Sequence, residues 1–182
     1  ANDYMLDKLN MLSKYEMLEN HSFKTAALAS IFCIKIGLSF TTTVNTVIGA
    51  VLHDIGMCSI YDQYSRLYDN EYKYNNSDFE HIQRHLAIGF DIVRDDDISA
   101  VSKKIILLHH LWDNHNKSYD SKLKISMSYP TSYDGHELKP SNKDICIKIV
   151  EVCSRFVNLI ATDKNYRKAV SSVNALKIIK IE

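Results

Sequence analysis

Four apolar, helix-like segments of this chain each carry a histidine at an end or in the first turn. They hold His21, then His53 followed by Asp54, then His85, then the doublet His109-His110. Imidazole and carboxylate are the ligands of a two-metal hydrolytic centre. A chain that uses them so must fold with several helix ends converging on one point. Taken singly, each position has a plain structural reading. A histidine at a helix C-terminus complements the dipole, and one at a helix entry caps it. Two adjacent histidines on a helix point about 100° apart and reach one ion only where the backbone bends. His85, within a mixed helix, reads alone as a hydrogen-bonded, half-buried side chain. The joint recurrence is what those separate readings leave unexplained.

Five glycines and two prolines in 182 residues argue against an all-β fold rich in tight turns. Phe23, Ala26, Ala27, Ile31, Ile34 and Ile36 lie close to a helical stripe and predict a helix over 22–38. Gly37 and the run Thr41-Thr42-Thr43 read as a stop and a new N-cap. The stretch 44–55 is apolar nearly all round, as a central buried helix is, and Gly56 reads as its end. Residues 59–78 are polar and tyrosine-rich and read as a loop with at most a short helix. Ser77-Asp78-Phe79-Glu80 looks like a capped start for a helix through His85 to about residue 93. Asp95-Asp96-Asp97 breaks the pattern as a solvated turn. Further helices are predicted over 98–110, 144–161 and 166–176, with a long polar insert over 113–143 holding both prolines. The expectation is an all-α bundle of about seven helices.

The length suits one domain, or one with a small appendage. Lys plus Arg and Asp plus Glu number 22 each, so no global field draws the chain to a nucleic acid polymer or anionic lipid. A polyanionic ligand needs a local site. Cys33, Cys58, Cys146 and Cys153 form no CxxC pair and read as buried free thiols in a reducing, cytoplasmic compartment. No apolar stretch reads as reaching the roughly 18–20 residues of a membrane span. The opening Ala1 fits a piece of a longer protein, with partner signalling domains attached elsewhere.

The stretches HSFKTAALASIFCIKIGLS, AVLHDIGMCSI, FEHIQRHLAIGFDIV and IILLHHLWD together resemble the HD superfamily of metal-dependent phosphohydrolases, and within it the HD-GYP branch. The resemblance runs from about Glu19 to Ala169, with NYRKA at 165–169 similar to that branch's closing motif. It implies a single HD-type domain over 1–182 with a binuclear iron or manganese centre. On this likeness His21 and His53 bind one metal, Asp54 bridges, and His85, His109 and His110 bind the other. A hydroxide between the cations then attacks phosphorus in line. Substrates in the branch are cyclic dinucleotides, chiefly cyclic di-GMP. Tyr129, Lys164 and Arg167 fall at positions that contact phosphate or substrate, although surface roles fit Lys164 and Arg167 equally well.

The chain departs from the branch pattern at three places. Ser154, in Val152-Cys153-Ser154-Arg155-Phe156, stands where the branch has a metal-binding Asp; Glu151, one turn earlier, is a candidate substitute. Met57 replaces a lysine after the signature glycine. Ser128-Tyr129-Pro130 replaces Gly-Tyr-Pro after an insertion. Two classes of function remain open. One is a phosphodiesterase acting on a cyclic dinucleotide or related phosphoester. The other is an impaired module that works by ligand sensing or protein contacts. The tyrosines at 61, 64, 68, 72 and 74 read either as a stacking surface for a nucleotide or, more plainly, as an exposed lid. His81, His115 and His136 read as surface residues.

Overall fold

The computed structural model describes residues 3–69, 71–110, 132–133, 136–137, 144–161 and 169–181. The expected insert loop with Tyr129, and the positions Lys164 and Arg167, lie outside them. The architecture is all-helical. Nine α-helices stand among the described residues: α1 (Asp3–Ser13), α2 (Glu16–Lys35), α3 (Phe40–Leu52), α4 (Gly56–Gln63), α5 (Asn76–Gln83), α6 (His85–Val93), α7 (Ala100–Leu108), α8 (Ile145–Ile160) and α9 (Ser172–Ile181). A short antiparallel pair, β1 (Ser132–Tyr133) with β2 (His136–Glu137), is the one addition to a helical plan in that described set.

Helix α2 lies across α3 and α8, α3 crosses α7, and α4 lies on α6. Two apolar clusters result. Ala26, Ala29 and Cys33 of α2 meet Ala50 of α3, Ile105 of α7 and Ile147, Val150 and Cys153 of α8. Leu12, Leu18, Leu52, Ile55, Cys58, Ile60, Val93 and Ile106 form the other. Helices α3 and α7 contribute to both, so their C-terminal ends lie at the seam, and His53 and His109 follow those ends.

Several boundaries differ from the sequence reading, each for a physical reason. Helix α1 was not anticipated; Met5, Leu9 and Leu12 supply its apolar spacing, and Leu12 is fully buried. Ser39, not a threonine of the triple run, caps α3 by accepting from the Thr42 amide at 3.2 Å. The expected helix over 77–93 is two, broken at Arg84, and its cap is Asn75 rather than Ser77. The C-terminal helix starts at Ser172, six residues beyond the expected 166.

Gly56 begins α4 instead of ending α3. A Cβ there would collide with the His85 carbonyl and lie 2.7 Å from the Gly89 amide nitrogen, so α4 and α6 meet backbone to backbone at a pair of glycines. The helical run therefore continues past the glycine, and Phe40–Gln63, at 24 residues, is long and apolar enough by length and composition to cross a membrane. The sequence pattern, read as ending at Gly56, predicts no stretch of that length, and the structure corrects it to the longer run. More than half of it is buried against other helices, the burial of a core helix.

All four cysteines are buried and unpaired. Burial pushes the Cys58 and Cys153 thiols up to about 12, where they are inert. The tyrosine-rich stretch is neither a loose lid nor an open stacking surface. Tyr61, Tyr64, Tyr72 and Tyr74 pack on the second apolar cluster, and Tyr61 and Tyr68 lie 5.2 and 5.0 Å from the Tyr15 ring. His81 is half-buried and stacks on Tyr64 at 4.1 Å.

Candidate metal centre

Asp54 sits in the turn between α3 and α4 with a histidine set on each side of its carboxylate. Toward Oδ2 come His53 Nε2 at 3.3 Å and His21 Nε2 at 3.6 Å, the two nitrogens 3.2 Å apart. Toward Oδ1 come His85 Nε2 and His109 Nε2, each at 3.3 Å, themselves 3.4 Å apart. His110 joins this second set, its ring centroid 4.2 Å from that of His109 and 5.4 Å from that of His85. The ligand atoms of each set lie within 4.8 Å of one another.

Local backbone fixes which ring nitrogen faces inward. His53 Nδ1 donates to the Ala50 carbonyl at 2.7 Å and His85 Nδ1 to the Ile82 carbonyl at 2.7 Å. His109 Nδ1 donates to the carbonyls of Ile105 and Ile106 at 3.3 and 3.2 Å. A carbonyl only accepts, so Nδ1 carries the proton and Nε2 is left with its lone pair. At His85 and His109 the inner atoms are thus acceptors facing a carboxylate that is also an acceptor. Such a set is repulsive until something positive enters it. Ligands about 2.1 Å from an ion, at octahedral to tetrahedral angles, stand ~3.0–3.4 Å apart. Five of the six separations fall within those edges and His21 to Asp54 is slightly longer at 3.6 Å, so the donor set fits a divalent cation on each side of Asp54.

Electrostatics agree with this reading. Burial pulls His85 down to about 4, Asp54 opposing, and burial drives His109 well below its usual range. Both rings are neutral, as a metal ligand must be. Burial would lower His53 as well, but the Asp54 charge outweighs it and raises that ring. Burial favours protonated Asp54, yet the positive charge that His53 takes up beside it outweighs burial and holds the carboxyl well below the ordinary value. His53, His85 and His109 are buried, while His21, Asp54 and His110 keep some surface open. The cluster is therefore reachable from one side.

Ser154, on buried α8, places its Oγ 3.2 Å from His21 Nε2. Glu151 is buried on the same helix and, among the described residues, joins neither set. Met57 lies in the second apolar cluster beside Leu52 and Ile55, so its position serves packing. The orienting carbonyls of Ala50, Ile82, Ile105 and Ile106 had no sequence signal, because every residue carries a carbonyl. Gly89 did have one, a glycine one turn after His85.

The HD domain family model matches residues 18–159. The chain belongs to the HD domain family. Two solved structures of the HD domain of the L. monocytogenes phosphodiesterase PgpH share its fold. One, in complex with cyclic-di-AMP, has a TM-score of 0.62 at 19% identity over 96% of this chain and 79% of that one. The other has a TM-score of 0.60 at 17% identity over 95% and 80%. Among curated proteins, none matches the chain. HD domains bind divalent metals, and the histidine–aspartate cluster of this one could hold them.

Proposed function

We propose that this HD domain is a metal-dependent phosphohydrolase of a cyclic dinucleotide, built on the HD-GYP plan over residues 1–182, with iron or manganese as its metal. The observation that carries the reading is Asp54, whose two oxygens face two separate histidine sets. In the proposed assignment His21 and His53 hold one cation, His85, His109 and His110 the other, and Asp54 bridges. Bound cations would supply charge neutralisation at phosphorus and activation of the attacking water. The chain's own part is preorganisation. Backbone carbonyls lock three rings with Nε2 inward, and the glycine pair Gly56–Gly89 sets the approach of Asp54 to His85. The open side at His21, Asp54 and His110 is where a phosphodiester would enter.

The fold likeness to a domain crystallised with cyclic-di-AMP supports the ligand class. Cyclic di-GMP is the expected substrate from the HD-GYP resemblance, so the two nucleotides compete as candidates. Elemental analysis of purified protein, paired with turnover of both nucleotides and of a simple phosphodiester, tests the reading. Iron or manganese in the protein, with slow metal-dependent conversion of one cyclic dinucleotide to linear product, is the expected outcome. Metal-free, inert protein would end it. A second reading, an impaired module acting by ligand sensing or protein contacts, is favoured by the neutral Ser154 hydroxyl beside His21. Tight cyclic-dinucleotide binding without any turnover in metal-loaded protein would select it.

A further inference from the structure

We infer that the centre is asymmetric: the His85/His109/His110 side holds a cation by itself, and the His21/His53 side fills only when a phosphate group supplies the missing anionic ligand. The inference deepens the proposed metal centre and rests on it. Its basis is a count of ligands and charges.

On the Oδ1 side, three imidazoles and a carboxylate oxygen lie within 4.8 Å of one another, four ligands to one cation. On the Oδ2 side there are, among the described residues, two imidazoles and a carboxylate oxygen. The fourth group at hand there is Ser154, whose Oγ is a neutral hydroxyl 3.2 Å from His21 Nε2. Among the described residues Asp54 is the one carboxylate in either set. Two divalent cations would then share a single negative charge in a pocket whose walls include the buried His53, His85 and His109. A second cation placed there is repelled by the first and, among the ligands of the described residues, is offset by that one carboxylate alone.

Ser154 also works against filling. Its hydroxyl can donate to the His21 Nε2 lone pair, so that side has a satisfied metal-free state. His85 and His109, whose Nδ1 atoms are committed to backbone carbonyls, have an imidazole nitrogen and a carboxylate as the neighbours of their inner atoms. A phosphate oxygen is a hard anionic donor suited to such a cation. An oxyanion entering from the open side would replace the absent carboxylate and turn the Ser154 hydroxyl away from His21. By linkage, phosphate then tightens the second cation and the second cation tightens phosphate by the same factor. The two-metal form would thus assemble around its phosphorylated ligand.

The test is titration of the whole chain with Mn²⁺, following free ion by electron paramagnetic resonance, with and without inorganic phosphate. One equivalent bound without phosphate, and a second whose affinity rises about tenfold or more with millimolar phosphate, is expected. Two equivalents bound alike without phosphate, or a second indifferent to phosphate, would overturn the inference. Ser154→Asp should take up both ions without phosphate; a folded variant that stays at one would also overturn it. His21→Ala should keep the first ion and lose the phosphate-dependent one, and the reverse would show the assignment of sides to be wrong. If Ser154→Asp does not fold by circular dichroism, the unaltered chain and His21→Ala still decide. Failure to cut any cyclic dinucleotide leaves these stoichiometries standing. A chain that takes up no Mn²⁺ in either condition sinks both this inference and the metal-centre reading.

Discussion

Two enclosed aspartates in this protein have opposite surroundings. Asp78 is ringed by donors: the Asn75 amide at 2.9 Å, Arg66 Nη2 at 2.8 Å and the Tyr72 hydroxyl at 2.9 Å. Asp54 is ringed by imidazole nitrogens, of which those of His85 and His109 point lone pairs inward. Both carboxyls are held below the ordinary range. Depressed acidity alone therefore does not separate a structural carboxylate from a functional one. The supply of donors does. Asp78 is complete without any ligand, and its work is to fasten α5 to the tyrosine-rich stretch. Asp54 has no comparable set of donors among the described residues, and in the proposed reading cations complete it.

The largest effect that would test this contrast is Asp54→Asn. An amide has no negative charge to share between two ions and can place its NH₂ toward only one histidine set. Metal content should fall by at least ~100-fold in affinity, since even outer-shell changes cost 10–100-fold. Far-UV circular dichroism should be unchanged. Retained metal at unaltered affinity would remove Asp54 from the centre. Gly56→Ala comes next, because it strikes the site through the backbone. Its methyl would meet the His85 carbonyl and the Gly89 amide, which are not flexible side-chain ends. Separation of α4 from α6 should cost about 1–3 kcal/mol or more of stability. It should also lower metal affinity by pulling Asp54 from His85. Thermal melting and metal titration of the same sample check both halves of that expectation.

The contrast also explains what was legible in the sequence. His53, His85, His109 and His110 do stand at helix ends and are visible as letters. His21, expected at a helix entry, lies inside α2, which begins at Glu16, yet it could be gathered with them and Asp54 before any fold was known. Ser154 could be singled out by its place in Val152-Cys153-Ser154-Arg155-Phe156, and it does lie beside His21. The Asp78 clasp was hidden, because its partners Arg66, Tyr72 and Asn75 sit in a polar stretch with no hydrophobic period. Polar hydrogen bonds and tyrosine packing order that stretch, and neither leaves a periodic trace. Helix α4 was missed for a related reason. A glycine at its first position reads as a terminator until the facing Gly89 shows that it is a contact point. Side-chain rotation of Glu151 is likewise not in the letters; a carboxylate one turn from Ser154 looked able to substitute, and it joins neither ligand set.

Asp78→Ala turns the comparison around. It removes the reciprocal cap of α5 and the acceptor for Arg66 and Tyr72, at a cost of about 1–3 kcal/mol in denaturant unfolding. Mn²⁺ stoichiometry should not change, because Asp78 contributes to neither ligand set. A coupled loss of metal would show that the clasp supports the centre and that the two carboxylates are not independent.

Acid should release the clasp in the unaltered chain. Burial works to raise the Asp78 carboxyl, but the Asn75 amide, Arg66 and Tyr72 outweigh it and hold it low. A group whose folded value is depressed stabilises fully above its unfolded value, near ~4 for Asp, and loses that contribution as pH falls through the lower folded value. Near-ultraviolet circular dichroism of the tyrosines should therefore be flat from neutral pH to about 5 and change below about 4. Tyr72→Phe is the smallest perturbation of this set. It deletes one hydroxyl donor and keeps the ring against the apolar cluster, so about 0.5–1.5 kcal/mol of stability should go. With one donor fewer around the carboxylate, the acid transition should also move to higher pH. An unshifted transition in the folded variant would mean that Arg66 and the Asn75 amide alone hold Asp78 ionised.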